Sequence, residues 1–237
     1  MRSPIVILGG MGPQASLRLH ELLLRESRQY HSGDGEQYPH IVHFSLPVTD
    51  FLSDESQRAE TVQILDRLSP LITSLQPARI LLACNTAHLL RGEVALLQSP
   101  AFSSMLSLVS DHVACKGYQR VGILASPTTL RLGLYHTLLK KHGIECLSPA
   151  PAKQRRLESV IRKIIAGRSG PCEKAALWQV ADSLRQQGVE AILLGCTELP
   201  LADDDTSSYT LPVIDCLKIY AAVTMHDYYM YNGGQDE

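Results

Sequence analysis

The chain has 237 residues, 45% of them hydrophobic and 19% charged, enough apolar material to bury a core over one large or two small domains and to exclude a disordered chain. Its 22 Lys and Arg stand against 24 Asp and Glu, a formal net charge of -2. Without a dense basic stripe, that balance excludes the footprint of a nucleic-acid binder and points to a small-molecule partner.

No apolar run approaches the ~18 residues of a membrane span. Residues 1–4 lead straight into an apolar run and a glycine turn, which reads as a first strand rather than a leader and predicts a cytoplasmic protein without membrane contact. The cysteines at 84, 115, 146, 172, 196 and 216 are then expected as thiols, and the lack of Cys-x-x-Cys spacing argues against a metal site.

In chain order, short apolar runs predict strands at 5–8, 41–44, 80–83, 121–124, 191–194 and 211–214, with segments of helical period between them. Between the second and third, Ala59, Val62, Leu65, Leu68, Leu71, Ile72 and Leu75 place one apolar stripe on a helix. Such alternation predicts an α/β fold of parallel sheets covered by helices, with ligands bound beyond the carboxyl ends of the strands. Four turns stand there: Gly9-Gly10-Met11-Gly12-Pro13, Cys84-Asn85-Thr86-Ala87-His88, Ala125-Ser126-Pro127-Thr128-Thr129 and Gly195-Cys196-Thr197-Glu198. The first lacks both the P-loop Lys and full G-x-G-x-x-G spacing, so a nucleotide cradle is not expected.

The chain also echoes itself. Ile7-Leu8-Gly9-Gly10 resembles Ile123-Leu124-Ala125-Ser126, and the run into Cys84-Asn85-Thr86 resembles that into Cys196-Thr197. Leu8 and Cys84 are 76 positions apart, Leu124 and Cys196 72. The spacing predicts two similar lobes, residues 1–103 plus 210–237 carrying Cys84 and residues 104–209 carrying Cys196. Thiols at helix starts ionise below the reference pKa of about 8.5. Facing each other, one thiolate and one thiol would serve as base and acid for inverting an α-carbon, with backbone N–H groups after Gly10, Asn85 and Thr197 stabilising the carbanion. The competing reading is that duplicated halves share Cys as a compact apolar filler.

Leu8-Gly9-Gly10-Met11-Gly12-Pro13, Ala83-Cys84-Asn85-Thr86-Ala87-His88 and Leu194-Gly195-Cys196-Thr197-Glu198-Leu199-Pro200 together resemble the aspartate/glutamate racemase family. The similarity runs from Ile5 to Pro212-Val213-Ile214-Asp215. The resemblance implies an amino-acid racemase that uses no pyridoxal phosphate or other cofactor, with two pseudo-symmetric α/β lobes, the active site in the cleft between them, and a homodimer. It implies Cys84 and Cys196 as the opposed acid/base pair, Asn85, Thr86 and Thr197 on the substrate carboxylate, and Gly10 and Met11 at the floor.

The chain departs from the family where aspartate-specific members carry an Arg after the second strand, since Leu52 stands at the equivalent. Arg58 is a candidate to replace it. Of Lys153, Arg155 and Arg156, near the family's second basic group, Arg156 is favoured as a substrate contact against a solvated helix face. His88 is read as tuning the Cys84 thiolate or as structural, and Glu198 as orienting Cys196 or favouring a helix start. Trp178 is expected as a core anchor, Asp203-Asp204-Asp205 as a solvated loop, and Tyr228, Tyr229 and Tyr231 as the end of a final helix covering a lobe or dimer surface. Cys115, Cys146, Cys172 and Cys216 are expected to do no chemistry. A related decarboxylase, a maleate-type isomerase or a silent small-molecule binder of the same fold are the alternatives.

Overall fold

The computed structural model describes residues 2–32, 35–48, 57–203, 206, 207 and 209–231. They form two compact units, one drawn from residues 2–48, 57–108 and 217–231, the other from within 109–216. Among the described residues, no helix is long and apolar enough to cross a membrane.

The first unit holds strands β1 (Ile5–Gly9), β2 (Ile41–Ser45), β3 (Arg79–Leu82) and β4 (Phe102–Ser103), all parallel, in the order β2-β1-β3-β4. The second repeats that topology with β5 (Arg120–Leu124), β6 (Glu145–Leu147), β7 (Ala191–Leu194) and β8 (Val213–Asp215) in the order β6-β5-β7-β8. Parallel sheets are covered on both faces, so their inner strands read as unbroken apolar runs. Every residue of β1 and β7 is accordingly buried. The six predicted strands all form, the last displaced to Val213–Asp215. Phe102–Ser103 and Glu145–Leu147 are additional edge strands.

Helices α1 (Pro13–Ser27) and α2 (Arg58–Ser74) follow β1 and β2, and α3 (Met105–Cys115) follows β4. The second unit has α4 (Pro127–Arg131), α5 (Leu134–Lys141), α6 (Pro151–Ile165) and α7 (Pro171–Arg185), and α8 (Cys216–Tyr231) returns the chain to the first sheet. The expected stripe of α2 is only partly used: Leu65 and Ile72 are buried, while Leu71 is 51% exposed. In α8 the buried Tyr220 donates its O–H to Ser103 O (2.5 Å) and accepts from Leu82 N–H (3.3 Å), tying the helix to β3 and the end of β4. Tyr228 and Tyr229 donate to Ser3 O and Gln37 O. The guanidinium of Arg2 lies 4.9 Å from the Tyr229 ring centre, a cation–π contact that holds the amino end of the chain.

In the second unit α6 and α7 present Leu157, Ile161, Leu177, Val180 and Leu184, all fully buried, to β5 and β7. Trp178 is half-buried, packs against the core as expected, stacks on Tyr209 at 4.5 Å, and also donates to Asp203 at 2.8 Å. Asp203 is not the solvated residue expected of its loop: it is buried and also pairs with Lys174 at 2.9 Å. Asp204 and Asp205 lie outside the described residues.

Candidate active site

The carboxyl ends of the two central strand pairs are built alike. In the first unit Ala83 N–H donates to Leu8 O at 2.9 Å, extending the β1–β3 ladder by one bond, and Cys84 is the next residue. In the second, Gly195 N–H donates to Leu124 O at 2.8 Å across β5–β7, and Cys196 follows. Each thiol therefore leaves its sheet at the equivalent position. Both are buried, at 8% and 6% exposure.

Beside Cys84 the β1 turn is set by Gly10, whose φ is +97°. A Cβ there would stand 2.0 Å from Leu46 O and 2.4 Å from Leu46 N. That position is closed to any side chain because the chain leaving β2 passes directly against it, held by Leu46 N–H on Gly9 O at 3.1 Å. Met11 behind the turn is buried, as are Asn85 and Thr86 after Cys84.

His88 is structural in its bonding. Its Nδ1–H donates to Cys84 O at 2.9 Å, and its Nε2 accepts Met105 N–H, the first of α3, at 3.2 Å. Both nitrogens of one neutral tautomer are thus occupied. Burial holds the ring's pKa down at about 4, aided by Arg91 and opposed by the carbonyls of Cys84 and Asn85. The ring also shapes the backbone. Its side chain takes the Cys84 carbonyl that an α-helix would bond through His88 N–H, which turns instead to Asn85 O at 3.2 Å. The result is a 3-10 turn over Thr86–Gly92 where an α-helix was expected. The turn after Cys196, Leu199–Leu201, is also 3-10 and carries Pro200, which has no N–H. The expectation that helix starts lower both thiols is therefore corrected: neither thiol has an α-helix on which to draw.

Chemistry enters at Glu198. Its carboxylate, 5% exposed, accepts from Cys196 Sγ–H at 3.0 Å and from Thr197 Oγ1–H at 3.1 Å. In the neighbouring turn Ser126 caps α4, its Oγ accepting Thr129 N–H at 3.1 Å, with Thr128 and Thr129 fully buried.

The cations put forward from the sequence are placed as follows. Arg58 is bound to Glu93 through Nε at 2.7 Å and through its second guanidinium nitrogen. Arg156 and Arg155 are exposed on α6. Leu52 lies outside the described residues. The residue of that first turn which does reach a strand end is Gln154: its Nε2–H donates to Ala125 O at 3.0 Å. Extending the inward stripe of Leu157, Ile161 and Ile164 back by one turn leads to it, a signal obscured by the charges of Lys153, Arg155 and Arg156.

Of the remaining cysteines, Cys115 and Cys172 are exposed and Cys216 is buried at the start of α8. Cys146 sits in a cavity of about 410 Å³ lined also by His136, Lys140, Gly143, Ile144 and Glu145, at the amino end of β6. Burial pushes its thiol up to about 12, so it remains protonated.

The sequence model of the Asp/Glu/hydantoin racemase family matches residues 8–224. The broad specificity amino-acid racemase RacX of Bacillus subtilis (strain 168) is 23% identical over 233 residues, covering 96% of this chain and 99% of that protein. Among solved structures, Picrophilus torridus aspartate racemase superposes with a TM-score of 0.79 at 23% identity, covering 96% of this chain and 94% of the other. Glutamate racemase from Francisella tularensis subsp. tularensis SCHU S4, solved with D-glutamate, superposes with a TM-score of 0.67 at 15% identity, covering 98% and 82%. These superpositions establish the fold.

Proposed function

Because the chain belongs to the Asp/Glu/hydantoin racemase family, we propose that it interconverts L- and D-amino acids by two-base proton transfer between Cys84 and Cys196. The observation that carries this is the repetition of a buried thiol at the equivalent strand end of both units, one of them donating to a carboxylate. A filler cysteine needs no such partner.

In the proposed reaction the Cys84 thiolate takes the α-proton from one face of the substrate. The Cys196 thiol then returns its own proton to the opposite face, leaving the inverted amino acid and a thiol/thiolate pair with roles exchanged. The reverse reaction starts from that exchanged pair. Asn85, Thr86 and Thr197 hold the carboxylate, Gly10 and Met11 form the floor, and charge on the carbanion is stabilised by N–H donors in a site closed to water. No redox step or cofactor is needed for this chemistry. With Arg58 tied to Glu93 and Arg156 exposed, we assign a specificity broader than the acidic amino acids. Work in the cytoplasm as a homodimer completes the proposal.

The test is a panel of L- and D-amino acids in deuterium oxide. Inversion with one deuterium entering at the α-carbon is the expected result, and Cys84→Ser or Cys196→Ser should each abolish it. Racemisation at the normal rate by either variant sinks the two-base assignment, and carbon dioxide release from malonates in its place would make the protein a decarboxylase.

A further inference from the structure

Gln154 is anchored and half-used. Its amide orientation is fixed, because only the NH2 end can bond a carbonyl, and that end is on Ala125 O at 3.0 Å. Its Oε1 is consequently turned away from Ala125, buried, and without a hydrogen-bond partner among the described residues. Ala125 is fully buried and follows β5, the strand whose last residue bonds Gly195 N–H, next to Cys196. A Cβ on Gly195 would stand 3.3 Å from the Ala125 Cβ. An orphaned acceptor thus belongs to an amide anchored at the carboxyl end of β5, the strand paired with the one that leads to Cys196. Buried acceptors are seldom left without a donor, and one at such a place calls for a donor that arrives with the ligand.

Resting on the racemase reading, we infer that Gln154 Oε1 is the acceptor for the substrate's α-ammonium group. The other polar groups assigned to the substrate, Asn85, Thr86, Thr197 and backbone N–H, supply donors suited to a carboxylate. Glu198, the charged acceptor nearby, is occupied by Cys196 and Thr197. A neutral amide oxygen suits the reaction better than a carboxylate would. It orients the ammonium while leaving its positive charge free to acidify the adjacent α C–H. Gln154 is also indifferent to the substrate's side chain, as a broad specificity requires.

The experiment uses the full chain, aspartate or glutamate as substrate, and succinate or glutarate, which lack the amine, as competing ligands. Loss of a hydrogen bond to a charged group corresponds to about a tenfold change or more. Gln154→Met should therefore raise KM for the amino acid by about tenfold, with kcat within about threefold and the inhibition constant of the amine-free acid unmoved. Gln154→Lys keeps a donor for Ala125 O but replaces the acceptor by a cation. It should weaken amino-acid binding further. An unchanged KM in both variants, or amine-free acid binding that weakens in step with the amino acid, overturns the inference. Thermal-shift binding of the same ligands separates it from the racemase reading. A protein that inverts nothing, yet loses amino-acid affinity alone in Gln154→Met, refutes racemisation and retains this assignment; a wild type that binds neither ligand refutes both.

Discussion

Acid should loosen the loop that carries Cys84, and His88 sets the size of the effect. In the fold the ring is neutral, with Nδ1–H on Cys84 O and Nε2 on Met105 N–H, and a second ring proton would break the bond to α3. Its pKa is about 4 against an ordinary value of 6.5. The unfolded chain therefore binds the proton first, so the stabilisation is complete above pH 6.5 and is lost as pH falls toward 4. Across the whole window this is about 3 kcal/mol, and from pH 7 to pH 5 roughly 2 kcal/mol. In a chain of this length that is roughly 4 to 8 °C in melting temperature. The assay compares the wild type with His88→Gln at pH 7, 6 and 5. His20, His43, His112 and His136, whose pKa values burial also lowers, titrate in both proteins and cancel in the difference. The variant should be the less stable at pH 7, and the gap should close by roughly 2 kcal/mol at pH 5. Parallel stability curves would refute the reasoning, because they would mean that the buried ring is not the proton-linked group.

Glu198→Gln should slow racemisation by about 2 kcal/mol, roughly thirtyfold, through loss of a charged hydrogen bond to the reacting sulfur. Since enantiomers have equal free energy, kcat/KM must fall by the same factor from the L and the D side, which polarimetry can read directly; an unimpaired variant would return Glu198 to a merely structural place. Gly10→Ala forces a Cβ into the Leu46 backbone and should cost about 3 kcal/mol or more together with activity. Gly35→Ala, where nothing stands within 4 Å, is the control and should melt within about 1 °C of the wild type.

The sequence carried the fold wherever the fold is written as a long apolar run. Strands such as Ile5–Gly9 and Ala191–Leu194 are buried on both faces and cannot be mistaken for anything amphipathic. Phe102–Ser103 and Glu145–Leu147 are too short to show a period and lie at sheet edges, where no burial pattern is imposed on them. The helix expected after Cys84 failed for a tertiary reason, the His88 side chain taking a backbone acceptor, which no local propensity contains. Asp203 read as solvated because neither Trp178 nor Lys174 is near it in sequence. Gln154 was hidden by the three basic neighbours that draw attention to their charge, although its place on the inward stripe of α6 distinguishes it from them.

The two units share a topology and a thiol position, yet their turns differ two places beyond the thiol. Two places beyond Cys84 stands Thr86, while two places beyond Cys196 stands Glu198. In the first unit the polar partner of the turn, His88, spends its hydrogen bonds on backbone groups. In the second, the carboxylate goes directly to Sγ. Racemisation needs no bias between enantiomers at equilibrium, but the proposed transfer between Cys84 and Cys196 would need its single proton to be placed. A duplicated fold with identical turns would leave that proton shared between two equivalent states. Under the proposed two-base reaction, the carboxylate on Cys196 would distinguish the two turns and give that proton a place.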